Sequence, residues 1–186
     1  MADLYVALVH HPVLDKNGAV VTTAVTNMDV HDIARLSRTY GVRGFYVCTP
    51  VPTLQRLVTR IIWHWETGPG AAYNETRKEA LAVVRVVDEL DAAMTDVERE
   101  TGVLPRLVAT SAREGTDRLS YGALRDEIRG DGPPVLLVFG TGWGLTKEVL
   151  DRCDALLEPV RGIGDYNHLS VRSAAAVILD RLRNGR

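Results

Sequence analysis

Val135-Leu-Leu-Val-Phe-Gly-Thr-Gly-Trp-Gly-Leu-Thr146 runs an apolar segment straight into three alternating glycines, and a helical pattern follows from Lys147. An unbroken apolar run without polar alternation reads as a strand buried on both faces, the mark of a parallel sheet held between helices. In open parallel sheets ligands bind beyond the carboxyl ends of the strands, and glycines there let backbone N–H groups approach a ligand that a Cβ would hold away. A ligand-binding turn is expected; the competing reading is a tight strand-to-helix turn that needs positive φ. Two familiar loops do not match. The triphosphate loop needs G-x-x-x-x-G-K-[ST], whereas Lys147 here follows Thr146 and Gly144 is misplaced. The dinucleotide fingerprint G-x-G-x-x-G misses by one residue, although Glu158 sits near the place of its ribose-binding acid.

Outward from this turn, similar short runs at 4–9, 45–48, 107–109 and 155–157 read as further strands bounded by Gly or Pro. Helical patterns lie between them at 29–40, 53–65, 121–129, 147–151 and 171–183, with 75–100 a long helix or a broken pair. Strands alternating with helices give an α/β class, a mostly parallel sheet with helices on both faces. A chain of 186 residues fits one domain, 1–186. Residues 10–28 break the rhythm with Pro12, Asn17 and Gly18, and read as a hairpin with 19–25 as an extra strand pair. The stretch 66–73, with Gly68-Pro69-Gly70, reads as a joint between two helices.

Composition removes several classes. Cys48 and Cys153 stand far apart and outside any C-x-x-C pair, so neither a disulfide framework nor a metal site is expected, and a reducing compartment suits the chain. No leader or membrane span is read, which points to the cytoplasm. With 22 Lys+Arg against 24 Asp+Glu and a net charge of −2, any contact with nucleic acid has to be local. Candidates are Arg35, Arg38 and Arg43, the Arg56/Arg60 pair, and Arg77–Lys78, each equally readable as the solvated side of a helix.

Two more segments carry possible chemistry. Downstream of the glycine turn, Gly162 and Gly164 flank Ile163 in a loop, and Ser170 stands where it can N-cap a helix rich in alanine at 174–176. Asp165, His168 and Ser170 suggest a hydrolase, but triad members normally come from separate loops and no G-x-S-x-G elbow is present. Near the N terminus, Asp29 before a helix and Asp32 three residues later resemble a capping arrangement, and Arg35 and Arg38 then share a side where they could bind phosphate.

Together these segments resemble the three motifs of the SPOUT superfamily of S-adenosylmethionine-dependent RNA methyltransferases. The run from Asn27 to Gly41 resembles the first motif, with Arg35 at its arginine. Phe139-Gly-Thr-Gly-Trp-Gly-Leu-Thr146 is similar to the second, one residue shorter and without the glutamate common in the ribose-methylating branch. His168-Leu-Ser-Val-Arg-Ser-Ala-Ala-Ala176 looks like the third, with Ser170 where that branch usually has asparagine. One bacterial family shares more: the His-Pro with Lys-Asn-Gly, Ala-Thr-Ser-Ala-Arg113, and the long Gly-Asp-Tyr-Asn-His-Leu-Ser block. In some relatives this domain is fused to a tRNA guanine-N1 methyltransferase, which implies RNA, and tRNA in particular, as substrate.

The resemblance implies a C-terminal trefoil knot over the last roughly 45 residues, one of the rare exceptions to unknotted chains, and a homodimer. It implies S-adenosyl-L-methionine held by Phe139, Gly140, Thr141, Gly142 and Gly144, with Glu158, Ile163, Gly164, His168, Leu169 and Ser173 around it. Arg35 and Ser170 are then the catalytic candidates, and Asn27, His31, Arg38 and Arg172 the RNA contacts. Arg35 titrates too high to serve as an ordinary base, so its expected part is to fix the target phosphate and lower the acceptor pKa electrostatically. The departures in motifs two and three leave ribose 2′-O against base nitrogen open. Two other classes remain: a nucleotide-binding oxidoreductase using the glycine turn, marked by NAD(P)H binding without S-adenosylmethionine binding, and an RNA-binding module with no cofactor affinity.

Overall fold

The computed structural model describes residues 1–164 and 166–185. Its centre is a parallel sheet formed by β1 (Leu4–Val9), β4 (Gly44–Cys48), β5 (Val84–Val87), β6 (Arg106–Ala109), β7 (Val135–Gly140) and β8 (Ala155–Leu156), in the order β5-β4-β1-β7-β6-β8. β1 and β7 lie in the middle, and all but one of their residues are buried, as their unbroken apolar runs require. The side chains of β1 divide by alternation. Leu4, Val6 and Leu8 enter the core on one face, Tyr5, Ala7 and Val9 the core on the other.

The first face is covered by α1 (Asn27–Thr39), α2 (Pro52–Glu66), α4 (Glu75–Leu81), α6 (Tyr121–Arg129) and α8 (Val171–Asn184), which bury Ile33, Val58, Leu81, Leu124 and Leu179 among others. The second is covered by α5 (Leu90–Thr101) and α7 (Lys147–Asp151), through Leu90, Ala93, Val97 and Val149. The short helix α3 (Pro69–Tyr73) sits between α2 and α4, so the stretch read as a simple joint is itself partly helical.

Three expectations are corrected. The segment 75–100 is neither one helix nor a helix pair: it folds as α4, the edge strand β5 and α5, because Val84, Val86 and Val87 pair along β4. Of 19–25 only β3 (Val20–Val21) is strand, pairing antiparallel with β2 (Val13–Leu14). The cap of α1 is Thr26, one turn earlier than Asp29. The Thr26 hydroxyl accepts the Asp29 N–H at 3.1 Å and donates to the Asp29 carboxylate at 2.6 Å, which places Asp29 inside the first turn.

The chain from Ala155 onward is bonded on both sides. Leu157 N–H donates to Ala109 O on one flank, while Leu119 N–H donates to Leu156 O and Glu158 N–H to Leu119 O on the other. This strand therefore runs between β6 and the chain that leads away from β6.

Candidate active site

At the carboxyl ends of β7, β6 and β8 lies a cavity of about 1150 Å³, where an open parallel sheet is expected to bind its ligand. It exceeds the roughly 300–1,000 Å³ usual for small-molecule sites, so it has room for a nucleoside-sized group and an acceptor beside it. The turn after β7 forms one wall through Phe139, Gly140, Thr141, Gly142 and Gly144, and the later loop forms another through Glu158, Gly164, His168, Leu169 and Ser170. Ten of the residues expected around the cofactor or at the reacting centre thus share one cavity.

The glycines have structural reasons of their own. Gly142 has φ +59° and Gly144 +107°, and a Cβ on Gly142 would stand 2.9 Å from Leu14 O and 3.3 Å from Thr23 Cγ2. A Cβ on Gly140 would meet Leu145 N at 2.8 Å. The turn is close-packed against the β2–β3 hairpin, with Trp143 N–H donating to Leu14 O and Leu14 N–H to Gly144 O at 2.9 Å each. The tight-turn reading of the glycines therefore holds, since positive φ and close packing shape the turn, and the same turn lines the cavity.

The hairpin is also held by a buried polar chain. The Thr141 hydroxyl donates to Val9 O at 3.0 Å, so it accepts from Thr23, 2.5 Å away, and Thr23 in turn accepts from Nδ1–H of His10 at 3.1 Å. Each hydroxyl gives one proton and takes one, which fixes the Nδ1–H tautomer of His10 and leaves Nε2 buried without a partner among the described residues. Burial pushes His10 down to about 4 despite the opposing charge of Asp29, so the ring is neutral near pH 7. Thr23 and Thr141 line the cavity from the far end of this chain.

Several expected residues take other places. Ser170 caps α8: its hydroxyl accepts the Ser173 N–H at 3.2 Å and meets the Ser173 hydroxyl at 3.0 Å, so both serines are committed to the helix start. Glu158 accepts the Tyr121 N–H at 2.8 Å and anchors the start of α6. Ile163 is wholly exposed and, like Ser173, lies off the cavity wall. Arg172 is half-buried and paired with Asp29 at 2.5 Å and Asp32 at 3.3 Å, which satisfies the guanidinium within the protein instead of leaving it free for RNA. Asn27 and Arg35 are exposed on α1, Arg38 approaches Glu79 at 3.9 Å, and His31 packs edge-on against Trp65. Asp165 lies outside the described residues.

The β6–α6 loop, absent from the expected site, supplies Ser111, Ala112, Arg113 and Glu114 to the cavity. It is tied to both other walls. Glu114 takes a two-point ion pair from Arg161, with both bonds 3.1 Å, Asn167 Nδ2 donates to Ala112 O at 3.0 Å, and Arg113 donates to Trp143 O at 3.3 Å. The signal was present as Ala-Thr-Ser-Ala-Arg113, which directly follows a parallel strand and so stands at the ligand-binding edge. Asp29, buried beneath the Arg172 pair, also reaches this cavity.

A family of SAM-dependent RNA methyltransferases matches the chain over residues 3–184. A tRNA (guanine-N(1)-)-methyltransferase of Nitratidesulfovibrio vulgaris is 49% identical over 97% of this chain and 42% of its own length. The chain thus spans about two-fifths of that curated relative. An uncharacterized protein of Aquifex aeolicus is 41% identical over 97% of the chain and 88% of its own length. Among solved structures, the A. aeolicus TrmH/SpoU tRNA modifying enzyme superposes with a TM-score of 0.57 at 18% identity, covering 100% of this chain and 76% of that one, a likeness of fold. The chain belongs to the SAM-dependent RNA methyltransferase family.

Proposed function

We propose that this chain binds S-adenosylmethionine in the cavity at the β7 edge and methylates RNA, with tRNA as the substrate class. The observation that carries the reading is the convergence of the glycine turn, residues 158–162 and 167–170 and the β6–α6 loop on one cavity large enough for cofactor and acceptor together. When bound, the cofactor supplies a methyl group already activated on a sulfonium. The residues fit such a group. The N–H groups of Thr141 and Gly142, residues that line the cavity, donate to no described residue and would offer the uncharged donors that ribose and carboxylate oxygens accept. Phe139, Leu169 and Ile178 give the apolar surface an adenine needs.

The protein's own work is positioning and proton handling. The Arg161–Glu114 pair and the Asn167 bond tie the loops together at the rim of the cavity. Arg35, exposed and without an ion pair among the described residues, holds the acceptor's phosphate and favours loss of the acceptor proton. It stands two turns along α1 from Asp29, the residue of that helix that reaches the cavity. We therefore infer a homodimer in which Arg35 serves the partner copy's cavity, a reading supported by exposed Met28, Trp143 and Leu169. The two-sided bonding of 155–158 supports the trefoil knot. No helix among the described residues is long and apolar enough to cross a membrane, and action in the cytoplasm, where tRNA is found, completes the proposal.

The test is transfer of labelled methyl to bulk tRNA, with nucleoside analysis to name the atom. Arg35→Ala should lower transfer by about two orders of magnitude while S-adenosylhomocysteine affinity stays unchanged by calorimetry. Transfer at the normal rate would remove Arg35 from the reaction, and loss of cofactor affinity would make its role structural.

A further inference from the structure

Where α1 meets α2 and α4, a cluster of basic side chains surrounds one tryptophan outside the cavity. His31 meets the Trp65 ring edge-on with centroids 5.7 Å apart, and His64 packs on the same indole at 4.9 Å and 90°. From α4, the Arg77 guanidinium lies over that ring, its central carbon 4.6 Å from the centroid. Arg77 makes no side-chain hydrogen bond or ion pair to a described residue; only its backbone N–H is engaged, by Asn74. Arg35 lies one turn beyond His31 and is equally free among the described residues.

Cation–π attraction anchors the Arg77 guanidinium over the indole, and its N–H donors remain a fork matched to two oxygens of one phosphate. Asp32 is the nearest acid on α1, and Arg172 already claims it at 3.3 Å. Burial and then Arg77, joined by Arg35 and His64, push His31 below its ordinary range against the pull of Asp32. Basic side chains continue along α2 through exposed Arg60 and Arg56, at four-residue steps before His64.

We propose that this seam binds the phosphodiester backbone of the RNA substrate, with Arg77 on the phosphate oxygens, His31 and His64 flanking it, and Trp65 anchoring Arg77. The proposal rests on the RNA methyltransferase reading and extends it by placing the backbone contact outside the cavity. α1 links the two places, because Asp29 borders the cavity and His31 follows two residues later on the same helix. Charged forks on an exposed seam position a strand and read no sequence, which is the division of labour usual in nucleic-acid recognition.

The experiment is fluorescence anisotropy of labelled bulk tRNA with the full chain across 50–200 mM salt, alongside calorimetry with S-adenosylhomocysteine. Arg77→Gln should weaken tRNA binding about tenfold and flatten the slope of log K against log salt by about 1. Lys78→Gln, which removes the same charge one residue away, should leave both near wild type, and all variants should bind S-adenosylhomocysteine equally. Arg77→Lys should restore the slope but not the full affinity, since an ammonium keeps the charge and loses the fork. Wild-type affinity and slope in Arg77→Gln would overturn the seam, as would equal losses in Lys78→Gln. A wild-type chain that binds S-adenosylhomocysteine but no tRNA would overturn the RNA reading itself.

Discussion

Replacing Gly142 by alanine separates the two reasons for the glycine turn. With φ at +59°, any L-residue there incurs about 1–2 kcal/mol of backbone strain. The new Cβ also stands 2.9 Å from Leu14 O, a backbone atom held by its own hydrogen bonds, and 3.3 Å from Thr23 Cγ2. Leu14 cannot yield as a flexible side chain would, so the hairpin must shift, and overpacking of this kind costs roughly 1–3 kcal/mol more. The sum is about 3 kcal/mol, or roughly 6–12 °C in Tm for a chain of this size. Because Thr23 belongs both to the hairpin and to the cavity wall, S-adenosylhomocysteine affinity should fall with stability.

Two controls sharpen the test. Gly144→Ala keeps the strain, at φ +107°, but its Cβ meets nothing within 4 Å, so it should lose about 1–3 kcal/mol without moving the hairpin. Gly132→Ala has neither problem and should be neutral or slightly stabilising. Urea unfolding of the three variants, paired with calorimetry, is the measurement. A Gly142→Ala protein of wild-type stability that has lost ligand binding would refute the packing argument and show that the glycine only clears space for the ligand.

Two further outcomes follow from buried charges. His10 titrates at about 4 in the folded chain against an ordinary 6.5, so the folded state resists the proton that the unfolded state accepts; stability is full above pH 6.5 and should drop by about 3 kcal/mol as pH falls to 4. Urea midpoints at pH 7.5, 5.5 and 4.5 should show a shallower fall in His10→Gln than in wild type, and parallel curves would contradict the assignment. For Asp29 and Arg172, Arg172→Leu leaves a carboxylate that is 8% exposed without its cation and should cost about 3 kcal/mol. A double-mutant cycle with Asp29→Asn should return a coupling above about 1 kcal/mol, and additivity within about 0.5 kcal/mol would deny that the pair acts together.

Central strands were legible because burial on both faces writes itself as an unbroken apolar run, as in Leu4–Val9 and Val135–Gly140. An edge strand has no such mark. β5 is half-buried, and its Arg85 engages Asp96 at 2.9 Å and Glu100 at 2.8 Å from α5. With helix formers on both sides, Val84–Val87 declares itself only through its pairing with β4. The cap of α1 failed for a narrower reason. Thr26 and Asp29 are both good cap residues three positions apart, they bond to each other, and only the backbone decides which of them stands outside the helix.

The site divides along the same line between local and distant information. Residues 139–144 and the loop from Glu158 follow β7 and β8, which are consecutive strands in the chain, so reading one turn leads to the next. The Ser111–Glu114 wall comes from another strand and needs the sheet order to bring it near. Arginines show the limit most plainly, because sequence gives their positions but not which are already paired. Arg172 sits in a motif that implied RNA contact, yet Asp29, 143 residues away, takes its charge. Arg77 read equally as a nucleic-acid contact or a solvated helix residue, and its place over Trp65 leaves its side-chain donors unclaimed among the described residues. A cation serves an external phosphate only to the extent that the fold leaves it unneutralised, so the charges to test for RNA binding are those the protein has positioned but not paired.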